Sequence, residues 1–118
     1  MLRIGDLNDN GVLTIIAGGR LSKEDLYGVT PQLADLFDRE GSLRFYVELQ
    51  DVSGFGAGAL WEDLKFDVEH RDLYGRTAIV GDRKWQALAA KLAGPLFGAE
   101  VRFFEPELRE AAWSWVNG

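Results

Sequence analysis

A mostly parallel α/β sheet is predicted by three features of the sequence. Strand-like runs alternate with helix-period runs after an opening hairpin, Asn, Gly and Asp punctuate the joints, and LRFYVEL at residues 43–49 is bulky almost throughout. Alternating strands and helices imply right-handed crossovers and parallel pairing. A nearly continuous apolar run fits a central strand covered on both faces. The expected order is ββαβαβαβα: a five-stranded sheet, antiparallel only at its first strand, with about four helices in a single domain over residues 1–118.

Residues 2–7 and 11–17 form the first two expected strands, and NDNG between them is hairpin chemistry, because Asn and Gly tolerate positive φ. Ser22 and Asp25 have the spacing of a capping box. Leu26, Val29, Leu33, Leu36 and Phe37 then recur at helical spacing up to Gly41. Pro31 falls inside that helix and predicts a kink or two pieces. After the strand at 43–49 and a Gly-rich loop, residues 59–73 read as a helix with Leu60, Trp61, Leu64 and Val68 on one side. RTAIVG at 76–81 is a short buried strand, and Asp82 can cap a helix whose stripe is Trp85, Leu88, Ala89, Leu92 and Leu96. GAEVRFF at 98–104 is the last strand, and Pro106 opens a final helix through Trp115.

Composition narrows the function. A chain of 118 residues with 47% apolar and 12% aromatic residues can bury roughly two-thirds of its unfolded surface without staples. It has no cysteine, so disulfides, thiolate metal sites and a cysteine nucleophile are excluded. Nineteen acidic against 13 basic residues give a net charge of −6, which argues against binding nucleic acid or anionic membranes. The opening MLRIGDLNDNG lacks a basic segment followed by an apolar run, and no stretch is long enough to span a membrane. A cytoplasmic location is the expectation.

The element order and the stretch VELQDVSG resemble the STAS domain, the fold of bacterial anti-sigma-factor antagonists. LWEDLKFDVEH, RTAIVGDRKW and VRFFEPELREAAWSWV make the chain similar to the narrower SpoIIAA-like group, and the likeness covers nearly all of it. The resemblance implies a regulatory role exercised through protein contacts. Typical antagonists carry an Asp-Ser-Ser-Gly segment after the third strand, where a kinase partner phosphorylates a serine. Here Asp51 and Ser53 match the beginning of that segment, but no Ser or Thr occurs from Gly54 to Arg76. The resemblance therefore implies a chain without the usual phospho-acceptor.

The same loop is the first candidate surface. Asp51, Ser53, Gly54, Phe55, Gly56, Gly58 and Trp61 lie where ligands gather on parallel sheets, at the carboxyl end of a strand. The glycines can expose N–H groups to an anion at a helix start, or simply let the backbone turn closely. Neither a P-loop nor a dinucleotide fingerprint is present. Phe55 either plugs the core or offers a contact.

Asp63, Asp67 and His70 stand at i, i+4 and i+7 on one helical face and form a second candidate, a polar site. Such a trio could hold a metal or make an acid–base pair. An ordinary solvated face, with His70 near the C-terminal end of the helix, is the reading preferred, because zinc sites usually take more His or Cys. No bound metal or cofactor is expected. A triad of Ser53, His70 and a carboxylate lacks any nucleophile-elbow sequence. Glu62, Asp63, Asp67, Glu69 and Asp72 make this helix acidic, either as a solvated face or as a patch for a basic partner.

Trp85 and Trp61 fall on apolar stripes. Trp113 and Trp115 are two apart, about 200° around a helix, so both cannot face one core. Trp115 is grouped with Leu108, Ala111 and Ala112, leaving Trp113 partly exposed as a dimer contact. The reading that follows is a noncatalytic STAS-like regulatory or protein-interaction module, self-associating or with a protein partner. The alternative is a carrier of a small apolar ligand or lipid, CRAL-TRIO-like, with a pocket lined by Phe45, Phe66, Phe97 and Phe103. An enzyme built on His70 and the carboxylates is a third.

Overall fold

The computed structural model describes residues 1–55, 73–82 and 100–118. Strand β1 (Leu2–Leu7) turns back into β2 (Val12–Leu21), as NDNG predicts. The Asn8 side-chain oxygen accepts from the backbone of Asn10 at 3.0 Å and of Val12 at 2.9 Å, and Gly11 takes φ 76°. The pair is antiparallel, with Leu2 opposite Ala17 and Ile4 opposite Ile15.

Helix α1 (Lys23–Glu40) opens on the expected capping box. Ser22 Oγ accepts from the Asp25 amide at 3.2 Å, and the Asp25 carboxylate accepts from the Ser22 amide at 2.9 Å. Pro31 does not split the helix, contrary to one expectation; it runs as one element to Gly41, whose φ of 77° suits glycine. The turns on both sides of Pro31 bury Val29, Leu33 and Phe37 against the sheet. That packing outweighs one missing N–H.

The sheet continues through β3 (Leu43–Phe55), β4 (Tyr74–Val80) and β5 (Val101–Phe104), all parallel to β2, and its spatial order is the chain order β1-β2-β3-β4-β5. The expectation of five strands with one antiparallel edge holds. A 3-10 turn (Pro106–Leu108) leads into α2 (Arg109–Asn117). The described residues thus contain two α-helices. The other two expected helices, starting near Ala59 and after Asp82, fall outside them, apart from Leu73.

Side-chain alternation divides the strands between two cores. On one face α1 covers Leu13, Leu43 and Phe45. There the rings of Phe45 and Tyr74 stack at 4.9 Å, and Phe37 meets them at 6.1 and 5.3 Å. On the other face Ala112 and Val116 of α2 pack on Val12, Tyr46, Ala78 and Val80.

Nine residues make a helix too short to stand alone. Its C-terminal end is accordingly tied to the sheet. Arg44 Nη1 donates to the carbonyls of Val116 and Gly118 at 3.0 and 2.8 Å, and Arg76 Nη1 to that of Trp115 at 3.2 Å. The amides of Asn8 and Asn10 donate to Asn117 Oδ1 at 2.7 and 3.1 Å. The grouping of Leu108 and Ala111 with Trp115 is corrected, because both are exposed. The 3-10 start rotates the first turn, so the residues that reach the core are Ala112 and Val116.

Candidate functional site

The segment expected to loop away after residue 49 does not do so at once. Strand β3 continues to Phe55 alongside β2, a correction to the strand-then-loop reading. Gly19 pairs with Val52 and Arg20 with Gly54, so Asp51 and Ser53 are the residues that the register steps over. Asp51 is exposed and adopts φ 50°, a left-handed conformation that Asp tolerates better than most residues. Bulges of this kind bend a strand and re-aim its side chains. Opposite them β2 supplies Gly18 and Gly19. A Cβ on Gly18 would stand 2.8 Å from the Gln50 carbonyl oxygen, and Gly19 has φ 64°.

Gly54 and Phe55 lie at the end of β3, paired with Arg20 and Leu21. Gly56, Gly58, Trp61, Asp63, Asp67 and His70 lie outside the described residues, as do Phe66 and Phe97 of the ligand-carrier alternative. Phe45 of that alternative is a core residue, 2% exposed and stacked on Tyr74. Among the described residues no group of three or more His, Cys, Asp or Glu is arranged to hold a metal.

A groove opens instead on the α2 face of the sheet, lined by Tyr46, Arg109, Glu110 and Trp113, with a volume of about 360 Å³. Tyr46 forms part of its floor. It is 8% exposed, on the strand position between Arg44 and Glu48 that faces α2. Trp113, on the outer flank of α2, is 41% exposed, and its ring meets that of Tyr46 edge to face at 5.2 Å. The expected partial exposure of Trp113 is therefore what the packing produces.

Arg109 of the groove pairs with Glu48, Nη2 to Oε1 at 3.4 Å, and its Nε also donates to the Pro106 carbonyl at 3.2 Å. Burial pushes the Tyr46 phenol above its ordinary pKa, the Glu48 carboxylate adds to the rise, and Arg109 opposes it. Tyr46 therefore keeps its proton well into the alkaline range. Its hydroxyl makes no hydrogen bond to a described residue. In the sequence Tyr46 is one residue of a nearly continuous bulky strand. The available signal was the alternation in LRFYVEL, where Arg44, Tyr46 and Glu48 put polar groups at every second position.

The profile of the SpoIIAA-like family matches residues 12–117. The chain belongs to the SpoIIAA-like family. Solved structures carry the same fold. An uncharacterised DUF3478-family protein with a SpoIIAA-like fold from Shewanella loihica PV-4 is 26% identical, with 98% of this chain and 92% of that one covered and a TM-score of 0.80. The unphosphorylated anti-sigma factor antagonist SpoIIAA aligns over 100% and 99% of the two chains at 12% identity, TM-score 0.70. The phosphorylated Bacillus cell fate determinant SpoIIAA aligns over 98% and 99% at 10% identity, TM-score 0.59. Among curated proteins none matches. The SpoIIAA-like match runs from the start of β2 to the end of α2. No described helix is long and apolar enough to cross a membrane.

Proposed function

We propose that this SpoIIAA-like chain is a noncatalytic, cytoplasmic regulatory module that acts by binding a protein. The observation that carries the proposal is Trp113, an indole left 41% exposed while braced against the buried Tyr46 ring. Large aromatics held rigidly at a surface are the residues that anchor interfaces. The SpoIIAA structures supply the analogy. One is of an anti-sigma factor antagonist in its unphosphorylated form, and another is of a phosphorylated form. In this chain the stretch matching the antagonists' Asp-Ser-Ser-Gly reads Asp51-Val52-Ser53-Gly54, which keeps one of the two serines, and the next Ser or Thr is Thr77. The bulged segment at Asp51 and Ser53 is a second surface for the same role.

The test is site-specific photo-crosslinking in the cells that make the protein, with the reactive group at position 113 and a control at Asp35 on α1. A discrete protein adduct is expected at 113 and none at 35. Adducts of the same pattern at both positions, or none at 113, would remove the proposal.

A further inference from the structure

We infer that the groove between Tyr46 and Trp113 receives a cationic side chain, an arginine or lysine, presented by the protein partner; this rests on the interaction-module reading above. The groups at the groove have unequal commitments. Arg109 is already engaged, by Glu48 at 3.4 Å and the Pro106 carbonyl at 3.2 Å. Glu110 carries no ion pair among the described residues. Tyr46 is more than nine-tenths buried, yet its hydroxyl has no described hydrogen-bond partner. A buried hydroxyl without a partner is costly, and occupancy of the groove relieves it.

What remains without an ion pair or hydrogen bond among the described residues is therefore a solvated carboxylate and a phenol oxygen, beside an exposed indole face. Those three groups select a cation on an apolar stem. Its N–H groups donate to Glu110 and Tyr46, and its charge lies against the π-face of Trp113. The stem covers the ring, as long basic side chains do on apolar surface. An anion is disfavoured, because Arg109, the basic group among the groove's described residues, already pairs with Glu48. The net charge of −6 steers a basic partner toward this chain. A volume of about 360 Å³ is at the low end of ligand clefts, roughly 300–1,000 Å³. With Arg109 and Trp113 both exposed at its rim, the groove suits a side chain projecting from a larger surface better than an enclosed small molecule.

The probe is a short amidated peptide with one arginine between two leucines, and its control replaces arginine by neutral citrulline of the same shape. The readout is the Trp113 indole N–H signal in NMR spectra, assigned with Trp113→Phe. The arginine peptide is expected to shift that signal saturably at millimolar concentration, and the citrulline peptide to bind at least about threefold more weakly. Glu110→Gln and Tyr46→Phe should each weaken arginine-peptide binding by a similar factor, with thermal unfolding unchanged for Glu110→Gln and no lower for Tyr46→Phe. Equal binding of the two peptides would overturn the inference by reducing the site to apolar contact. A lack of any saturable shift would overturn it too, as would arginine amide alone binding as well as the peptide. A crosslinked partner at position 113 together with a silent peptide titration would leave the regulatory reading standing and remove only the cation site.

Discussion

Arg44, near the start of β3, donates from Nη1 to the main-chain carbonyl of Val116, 3.0 Å away and 72 residues later in the chain. The same guanidinium reaches the Gly118 carbonyl. A cation at the C-terminal end of a helix answers both its unpaired carbonyls and its dipole. Arg44→Met should therefore cost about 1–2 kcal/mol, in the range for hydrogen bonds to charged groups when part of the site is exposed. Hydrogen exchange is the discriminating measurement. Amides of α2 should exchange faster while those of α1 keep their protection.

Ser22→Ala removes the hydroxyl half of the capping box and should destabilise the protein by about 1 kcal/mol in denaturant unfolding. The carboxylate half titrates. The Ser22 backbone N–H, more than its hydroxyl, holds the Asp25 pKa below the ordinary carboxylate value of 3.8, against a smaller opposing effect of burial. A lowered folded-state pKa gives stability that is full above the unfolded value and disappears as pH falls through the folded one. The stability gap between the unmutated protein and Asp25→Asn should be constant at neutral pH and close below about pH 4.

Tyr46 gives the opposite pH limb. Its phenol pKa is raised above 10.0 by burial first and by Glu48 second, with Arg109 opposing. The folded state holds the proton more tightly than the unfolded chain does. Stability from this group is therefore intact below about pH 10 and is lost as pH climbs from there through the folded-state value. Denaturant midpoints measured from neutral to strongly alkaline pH should fall more steeply for the unmutated protein than for Tyr46→Phe. Parallel curves would show that the phenol is not buried as described.

With no partner to cover Trp113, copies of the isolated protein should cover it for one another at high concentration. Sedimentation should show a dimer that Trp113→Glu returns to monomer, with an unchanged unfolding curve. A monomer at every concentration would exclude self-association through this face.

Local chemistry was the legible part of the sequence. Ser22 with Asp25 and the NDNG turn were readable because each acts over a few residues with fixed geometry. Strand count and direction followed from alternation. The lower end of β3 was misread because SGF looks like a loop, whereas its pairing is decided by β2, whose Gly18 and Gly19 permit the close and bulged register. Leu108 was misassigned because helical period was projected across a 3-10 turn. The groove escaped because it joins residues 46 and 113 through tertiary packing. Only the polar alternation of Arg44, Tyr46 and Glu48 hinted at it.

Helix α2 follows all five strands in chain order, and it is the described helix that lies on Val12, Ala78 and Val80, each no more than 1% exposed. During synthesis these residues wait for α2 after every strand has left the ribosome. A chain halted behind β5 would own the described strands and lack the helix that packs on Val12, Ala78 and Val80. Chaperones and proteases respond to apolar surface left without its partner helix, so the nine residues of α2 set the moment at which this packing is made. Loss of Arg44 or Asn117, which fasten that helix, should consequently appear in cells as reduced abundance before any binding defect can be scored.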